Sequence, residues 1–179
     1  MKARQFLKER TAAAHDRVDA LFARFDLSAP EDYRLFLEAQ AEAHLATEQA
    51  LDTAGAERVL MDWPRRRRGD ALRDDLADLG GEVRTADRVA LAGDAEMLGA
   101  IYVLEGSRLG GALLKRQLAD GAPRRFLDQD QDAGAWRKLL EKLEEALYDS
   151  RRLEAAALAA ERVFERFETA ARRVGDMKI

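Results

Sequence analysis

The chain has no cysteine among its 179 residues. Disulfides, thiolate metal sites of every kind and iron–sulfur clusters are therefore excluded. Proline is scarce, with three in all, and there are only two histidines, His15 and His44. No apolar run approaches the length of a membrane span, and Met1-Lys2-Ala3-Arg4-Gln5-Phe6 lacks a signal-peptide core. The expectation is a cytoplasmic protein without a membrane partner. A net charge of −4 gives no case for nucleic acid. Arg65 to Arg68 do form a basic run, but Trp63-Pro64 precedes it and Gly69 follows, so it reads as a solvated surface connection.

What remains is rich in Ala, Leu, Arg and Glu, with apolar residues at 47% and charged residues at 36%. Helical periodicity dominates, and no convincing alternating strand occurs. A first helix is expected from Lys2 to about Phe25. Ser28-Ala29-Pro30-Glu31 has the form of a capping box that opens a second helix, which runs through about Thr53. A shorter helix spans Asp70 to Leu79 and stops at Gly80-Gly81. A long one runs from about Asp94 to Ala119, Phe126 to Gly134 is loop, and helices follow at Trp136 to Ser150 and Leu153 to Val174. With no repeat and no linker, residues 1–179 form one all-α domain, a helical bundle.

The segment Tyr102-Val103-Leu104-Glu105-Gly106-Ser107-Arg108-Leu109-Gly110-Gly111 carries the most information. Each glycine inside a helix costs about 0.8–1 kcal/mol relative to alanine, so Gly106, Gly110 and Gly111 cost on the order of 3 kcal/mol. At about 100° per residue, Gly99, Tyr102, Gly106 and Gly110 fall on one stripe. That bare strip suits the close approach of a second helix or of a planar ligand.

His15 lies in Thr11-Ala12-Ala13-Ala14-His15-Asp16-Arg17-Val18-Asp19. Asp19, at i+4, brings a carboxylate to the imidazole, which would orient the ring and leave its other nitrogen for a metal. The three alanines remove bulk beside it. Lys8 stands two turns earlier on the same face, roughly 10 Å away. His44 sits among residues typical of an amphipathic helix surface and reads as structural or solvent-facing. A di-iron bundle is excluded, because position 41, three before His44, is alanine. The residues alone leave open an enzyme acting on a metal-centred planar ligand, a carrier of that ligand, and a protein whose glycines merely pack two helices.

Together, Leu7-Lys8-x-x-Thr11-x-x-x-His15 with an acid at 19 and Tyr102-Val103-x-Glu105-Gly106-Ser107-x-Leu109-Gly110 resemble the heme oxygenase family, particularly its bacterial members. The resemblance implies a helical bundle that holds heme between a proximal and a distal helix. His15 resembles the proximal iron ligand, and Asp19 the acid that steadies it. Gly106 and Gly110 resemble the distal glycines against the porphyrin, with Ser107 and Gly111 beside them. Lys8 and Tyr102 resemble propionate contacts, and Arg137 lies near where relatives place another base. The implied reaction cleaves heme to biliverdin, releasing Fe2+ and CO, with O2 as co-substrate and electrons from a ferredoxin or reductase. A bilin-dependent photoreceptor is a candidate acceptor of the product. The family's alternative is a noncatalytic heme carrier of the same fold. Ser107 stands where mammalian members carry a distal aspartate, and water held near Gly106 and Ser107 is the expected proton source. Glu141 stands where a second base would be expected, which leaves the in-plane rotation of the heme open.

Overall fold

The computed structural model describes residues 2–129 and 132–178. Eight α-helices occur among them: α1 (Ala3–Phe22), α2 (Pro30–Ala54), α3 (Trp63–Arg66), α4 (Gly69–Asp78), α5 (Asp94–Arg108), α6 (Gly111–Lys115), α7 (Ala133–Ala146) and α8 (Ser150–Asp176). A single 3-10 turn, Ala56–Arg58, joins α2 to α3. No strand occurs among the described residues, as the periodicity predicts.

The long C-terminal helix organises the bundle. Ala156, Ala157, Ala159, Ala160, Ala170 and Ala171 are all buried on α8, and their small side chains let other helices come close. α1, α2 and α5 each pack along it. Arg10 pairs with Glu154 and Glu161, and Arg17 with Glu168, so α1 and α8 run in the same direction. Glu96 pairs with Arg162 while Gly99 meets Ala156, so α5 runs the opposite way. An aromatic cluster closes the far end, where Phe22 meets Phe36 edge-on at 5.5 Å, with Phe25, Tyr33 and Phe167 around them.

α1 buries Ala3, Leu7, Thr11, Ala14 and Phe22, a stripe at helical spacing. Thr11 has no part in positioning His15, because its Oγ donates to Leu7 O at 2.8 Å. The stripe turns Lys8, Ala12, His15 and Asp19 away from the core, and all four are exposed. The predicted capping box does not form. Ala29 caps α2 without a side-chain bond, and Ser28 Oγ donates to Asp26 Oδ1 at 2.6 Å. Asp32 Oδ2 accepts from Asp26 N instead. α7 begins at Ala133, capped by Asp132, so the predicted loop 126–134 ends early; its residues 130 and 131 lie outside the described ones.

Two further expectations are corrected. The stretch from Asp94 to Ala119 is not one helix. α5 ends at Arg108, and a short α6 begins at Gly111 after a bend at Leu109-Gly110. The Arg run is not a solvated connection, since Arg66 and Arg68 are both buried at 4% exposure. Buried carboxylates and carbonyls draw them inward, as buried cations require.

Gly99 shows how tightly α5 meets α8. A Cβ at that position would lie 2.0 Å from the carbonyl oxygen of Ala156, and backbone cannot swing aside. Gly99→Ala is expected to lower the unfolding free energy by about 2–3 kcal/mol, as overpacking does. A fall in the urea midpoint measures it.

Candidate functional site

The glycine stripe of α5 is divided. Its N-terminal end, at Gly99, is covered by α8, whereas its C-terminal end is open at Gly110 and neighboured only by the edge of Trp136 at Gly106. A Cβ built on Gly106 finds Trp136 Cη2 at 3.9 Å as its nearest neighbour. One built on Gly110 finds only Ser107 O, at 3.8 Å. Both are ordinary contacts. Neither glycine has positive φ, a conformation confined to Gly55, Gly80, Gly93 and Gly121. Neither backbone conformation nor internal packing therefore requires glycine at 106 and 110. Gly111 differs: it is buried, with Leu127 O at 3.4 Å from its Cβ position, so the close approach there is made by the chain itself.

On α1 the imidazole of His15 is 56% exposed, and Asp19 Oδ2 lies 3.3 Å from its Nδ1. The ring of Phe164, from α8, meets the imidazole edge-on at 5.9 Å. Nδ1 is thus tied to the protein side. Nε2 has no hydrogen-bond partner among the described residues. α1 and α5 both lean on α8 without packing along one another. This arrangement leaves a face of α1 with an imidazole and a face of the α5–α6 bend with no side chains.

Cations line the groove between α1 and α7. It is a cavity of about 680 Å³ with Lys2, Arg4, Lys8 and Arg137 on its walls, together with Glu141 and Glu144. Lys8 and Arg137, far apart in sequence, thus share one groove. Arg137 Nε stands 3.9 Å from Glu141 Oε1, a loose pairing. Tyr102 is half-buried and stacks on Trp136, with centroids 6.0 Å apart and planes at 28°. Burial raises its phenol pKa, which keeps the hydroxyl protonated and able to donate.

Ser107 stands differently from expectation. Its Oγ donates to Leu104 O at 2.7 Å and accepts from Arg68 Nη2 at 2.6 Å. The hydroxyl hydrogen is therefore already engaged inside the helix. Arg68 lies over the ring of Phe126 at 4.7 Å, and its backbone N donates to Glu48 Oε2. Burial, followed by the Arg108 charge, lowers the Arg68 guanidinium to about 9, still charged at neutral pH. Glu48 also meets His44 Nε2 at 2.8 Å. His44 is thus buried and structural, not solvent-facing, and burial lowers its pKa.

Sequence reasoning missed Arg66, Arg68, Glu105 and Trp136. The available signal was Glu105 itself, an acid on the buried side of α5 that has to find a cation.

An exposed imidazole, a glycine face with no internal use and a groove lined by cations are the features that a helical protein holding a flat, anionic, metal-bearing ligand would need. No family model matches the chain. It is 34% identical over 113 residues to a heme oxygenase of Xanthomonas campestris, covering 60% of this chain and 68% of that one. It is 31% identical over 129 residues to heme oxygenase PigA of Pseudomonas aeruginosa, covering 70% of this chain and 62% of the relative. Its fold superposes on the NO- and CO-bound heme oxygenase of Neisseria meningitidis with a TM-score of 0.83 at 27% identity, over 97% of this chain and 92% of that one. The chain belongs to the heme oxygenase family.

Gly106 invites a direct test. Gly106→Ala should stabilise α5 by up to about 1 kcal/mol, because alanine is the better helix former and the site is open. The same change should weaken hemin binding or turnover. Urea unfolding beside a hemin titration reads both.

Proposed function

We infer that the face of α1 bearing His15 and the bare bend of α5–α6 together hold heme, the substrate of this heme oxygenase. The enzyme cleaves heme to biliverdin, with release of Fe2+ and CO, using O2 and electrons supplied from outside. The observation that carries the assignment of the seat is the pair Gly106 and Gly110, whose lack of side chains serves nothing within the chain.

Each neighbouring residue has a task that its chemistry suits. His15 Nε2 is the proposed iron ligand, with Asp19 holding the ring through Nδ1. His15 would be the chain's single ligand to the iron, and bound heme would supply the oxygen chemistry. Among the described residues no group of three or more His, Cys, Asp or Glu could hold a metal ion, so a lone imidazole suits iron already held by a porphyrin. Lys8, Arg137 and the protonated Tyr102 hydroxyl are proposed to receive the propionates. Heme brings the redox chemistry, and the chain orients it and excludes side reactions. The electron donor is proposed to be a ferredoxin or reductase, and a bilin-dependent photoreceptor is a candidate acceptor of the product. No described helix is long and apolar enough to cross a membrane.

The decisive test is a hemin titration followed by ascorbate or a ferredoxin system. Loss of the Soret band with appearance of biliverdin is expected; a persistent Soret band would sink the catalytic reading. His15→Ala should abolish the histidine-type ferric spectrum. Asp19→Ala should weaken hemin binding by about tenfold, the lower end for an outer-shell partner, since the pair is exposed. Lys8→Ala should cost no more than about fivefold in affinity, as an exposed ion pair does, yet alter the biliverdin isomers seen by chromatography.

A further inference from the structure

Immediately beside Gly106, the carboxylate of Glu105 is buried at 2% side-chain exposure and bound by two guanidinium groups. Arg66 Nη1 donates to its Oε2 at 2.9 Å, and Arg108 Nε to its Oε1 at 3.0 Å. Arg66 is itself buried, and three more of its five N–H donors are committed. Nε and Nη2 grip Asp62 at 2.8 and 2.9 Å, and Nη2 also reaches the carbonyl of Ala135 at 2.9 Å. Ala135 lies in the first turn of α7, next to Trp136. One planar cation therefore joins α3, the distal helix beside Gly106, and the start of α7.

Trp136 is where this junction meets the site. Its ring stacks on Tyr102 with the planes 28° apart, and its Cη2 stands at the bare face of Gly106. A planar ligand laid on Gly106 meets that ring at its edge. Arg137 follows and lines the groove shared with Lys8. The first turn of α7 is also held by its exposed Asp132 cap and by the stacking of Trp136 on Tyr102. Beside that stacking, the fork geometry of Arg66 sets how the turn sits against α5, and a lysine ammonium cannot reproduce it.

Resting on the reading of this face as the heme seat, we propose that Arg66 is a positioning residue for the cleavage reaction. By locking α7 to the distal helix it sets Trp136 as the lateral wall of the heme, and so selects the in-plane rotation and the meso carbon that is cut. It touches neither heme nor O2.

The test uses the full chain with Arg66→Lys, which keeps the buried charge and removes the fork. Far-UV circular dichroism and urea unfolding report folding. Hemin affinity should stay within about threefold of wild type, since the change lies outside the seat. NMR of the ferric complex, which needs no turnover, should show a second set of heme-methyl resonances. The ratio of minor to major biliverdin isomer should rise about tenfold, the scale of a small steric discrimination. A folded Arg66→Lys protein with the wild-type methyl pattern and isomer ratio overturns the proposal. If that variant does not fold, Trp136→Leu decides. Altered methyl resonances and isomers support the proposal, and unchanged ones overturn it, because Arg66 would then have no wall to position. Failure of the wild-type protein to bind hemin or form biliverdin would instead defeat the heme-oxygenase reading, and is seen separately.

Discussion

Gly99 and Ala156 bring the backbones of α5 and α8 into contact, and the spacing of the whole site follows from that approach. A helix held so close at one end has its direction fixed, so where its other end lies is no longer adjustable by side-chain repacking. α1 is held to the same partner through Leu7, Thr11 and Ala14, with exposed ion pairs along the seam that add little. Two helices anchored to one alanine-rich third, and not to each other, leave a separation that small side chains on both sides keep open. On the proposed seat, Ala12 near His15 and the glycines of the α5–α6 bend would be those small side chains.

The electrostatic layout serves the same geometry. Buried charges are costly unless each is paired, and breaking one partner of such a set is more damaging than never having had it. Arg66, Arg68 and Arg108 converge behind α5 and are matched by Asp62, Glu105, Glu48 and several carbonyl oxygens. Asp75, fully buried, works in parallel: it accepts from Arg125 N, Arg125 Nη1 and Phe126 N and pins the segment whose Leu127 carbonyl supports Gly111. The bend at Leu109-Gly110 is therefore braced from behind by charge pairs as well as by the buried Phe126 and Leu127. Such a brace has a directional preference that a greasy contact lacks.

The helices were legible because their signal is periodicity and periodicity is local. α1, α2, α4, α5, α7 and α8 all begin or end within a few residues of where the apolar spacing and the glycines place them. The faces of α1 were legible too: Lys8, His15 and Asp19 fall on one side by spacing alone. What local pattern could not carry was long-range pairing. Arg66 and Arg68 look solvated in a run of four arginines, and Glu105, 39 residues after Arg66, is the distant carboxylate that draws Arg66 inside. The capping box at Ser28 was a correct motif for the wrong partner, because Asp26 and Asp32 compete for the same donors. The unbroken helix through 110 failed for a related reason. Helix periodicity continues through the glycines, but their missing side chains remove the packing that would hold the last turn straight.

Ser107 bears on where the protons of the reaction come from. A serine hydroxyl has one hydrogen, and here Leu104 O takes it while Arg68 fills one acceptor position. The side chain can accept once more, so it can orient a water but cannot itself acidify one. Tyr102 stays protonated through burial and stacks on Trp136, so it is a hydrogen-bond donor, not an acid at neutral pH. None of the side chains carried over to the distal face is thus an acid of useful pKa. A relay that lacks an acidic side chain has to depend on water, ordered by fixed dipoles such as the Ser107 oxygen and the backbone exposed at Gly106 and Gly110. On the proposed seat the absence of side chains on the bend would do two things at once: admit the porphyrin, and leave peptide groups accessible to the water that the chemistry needs.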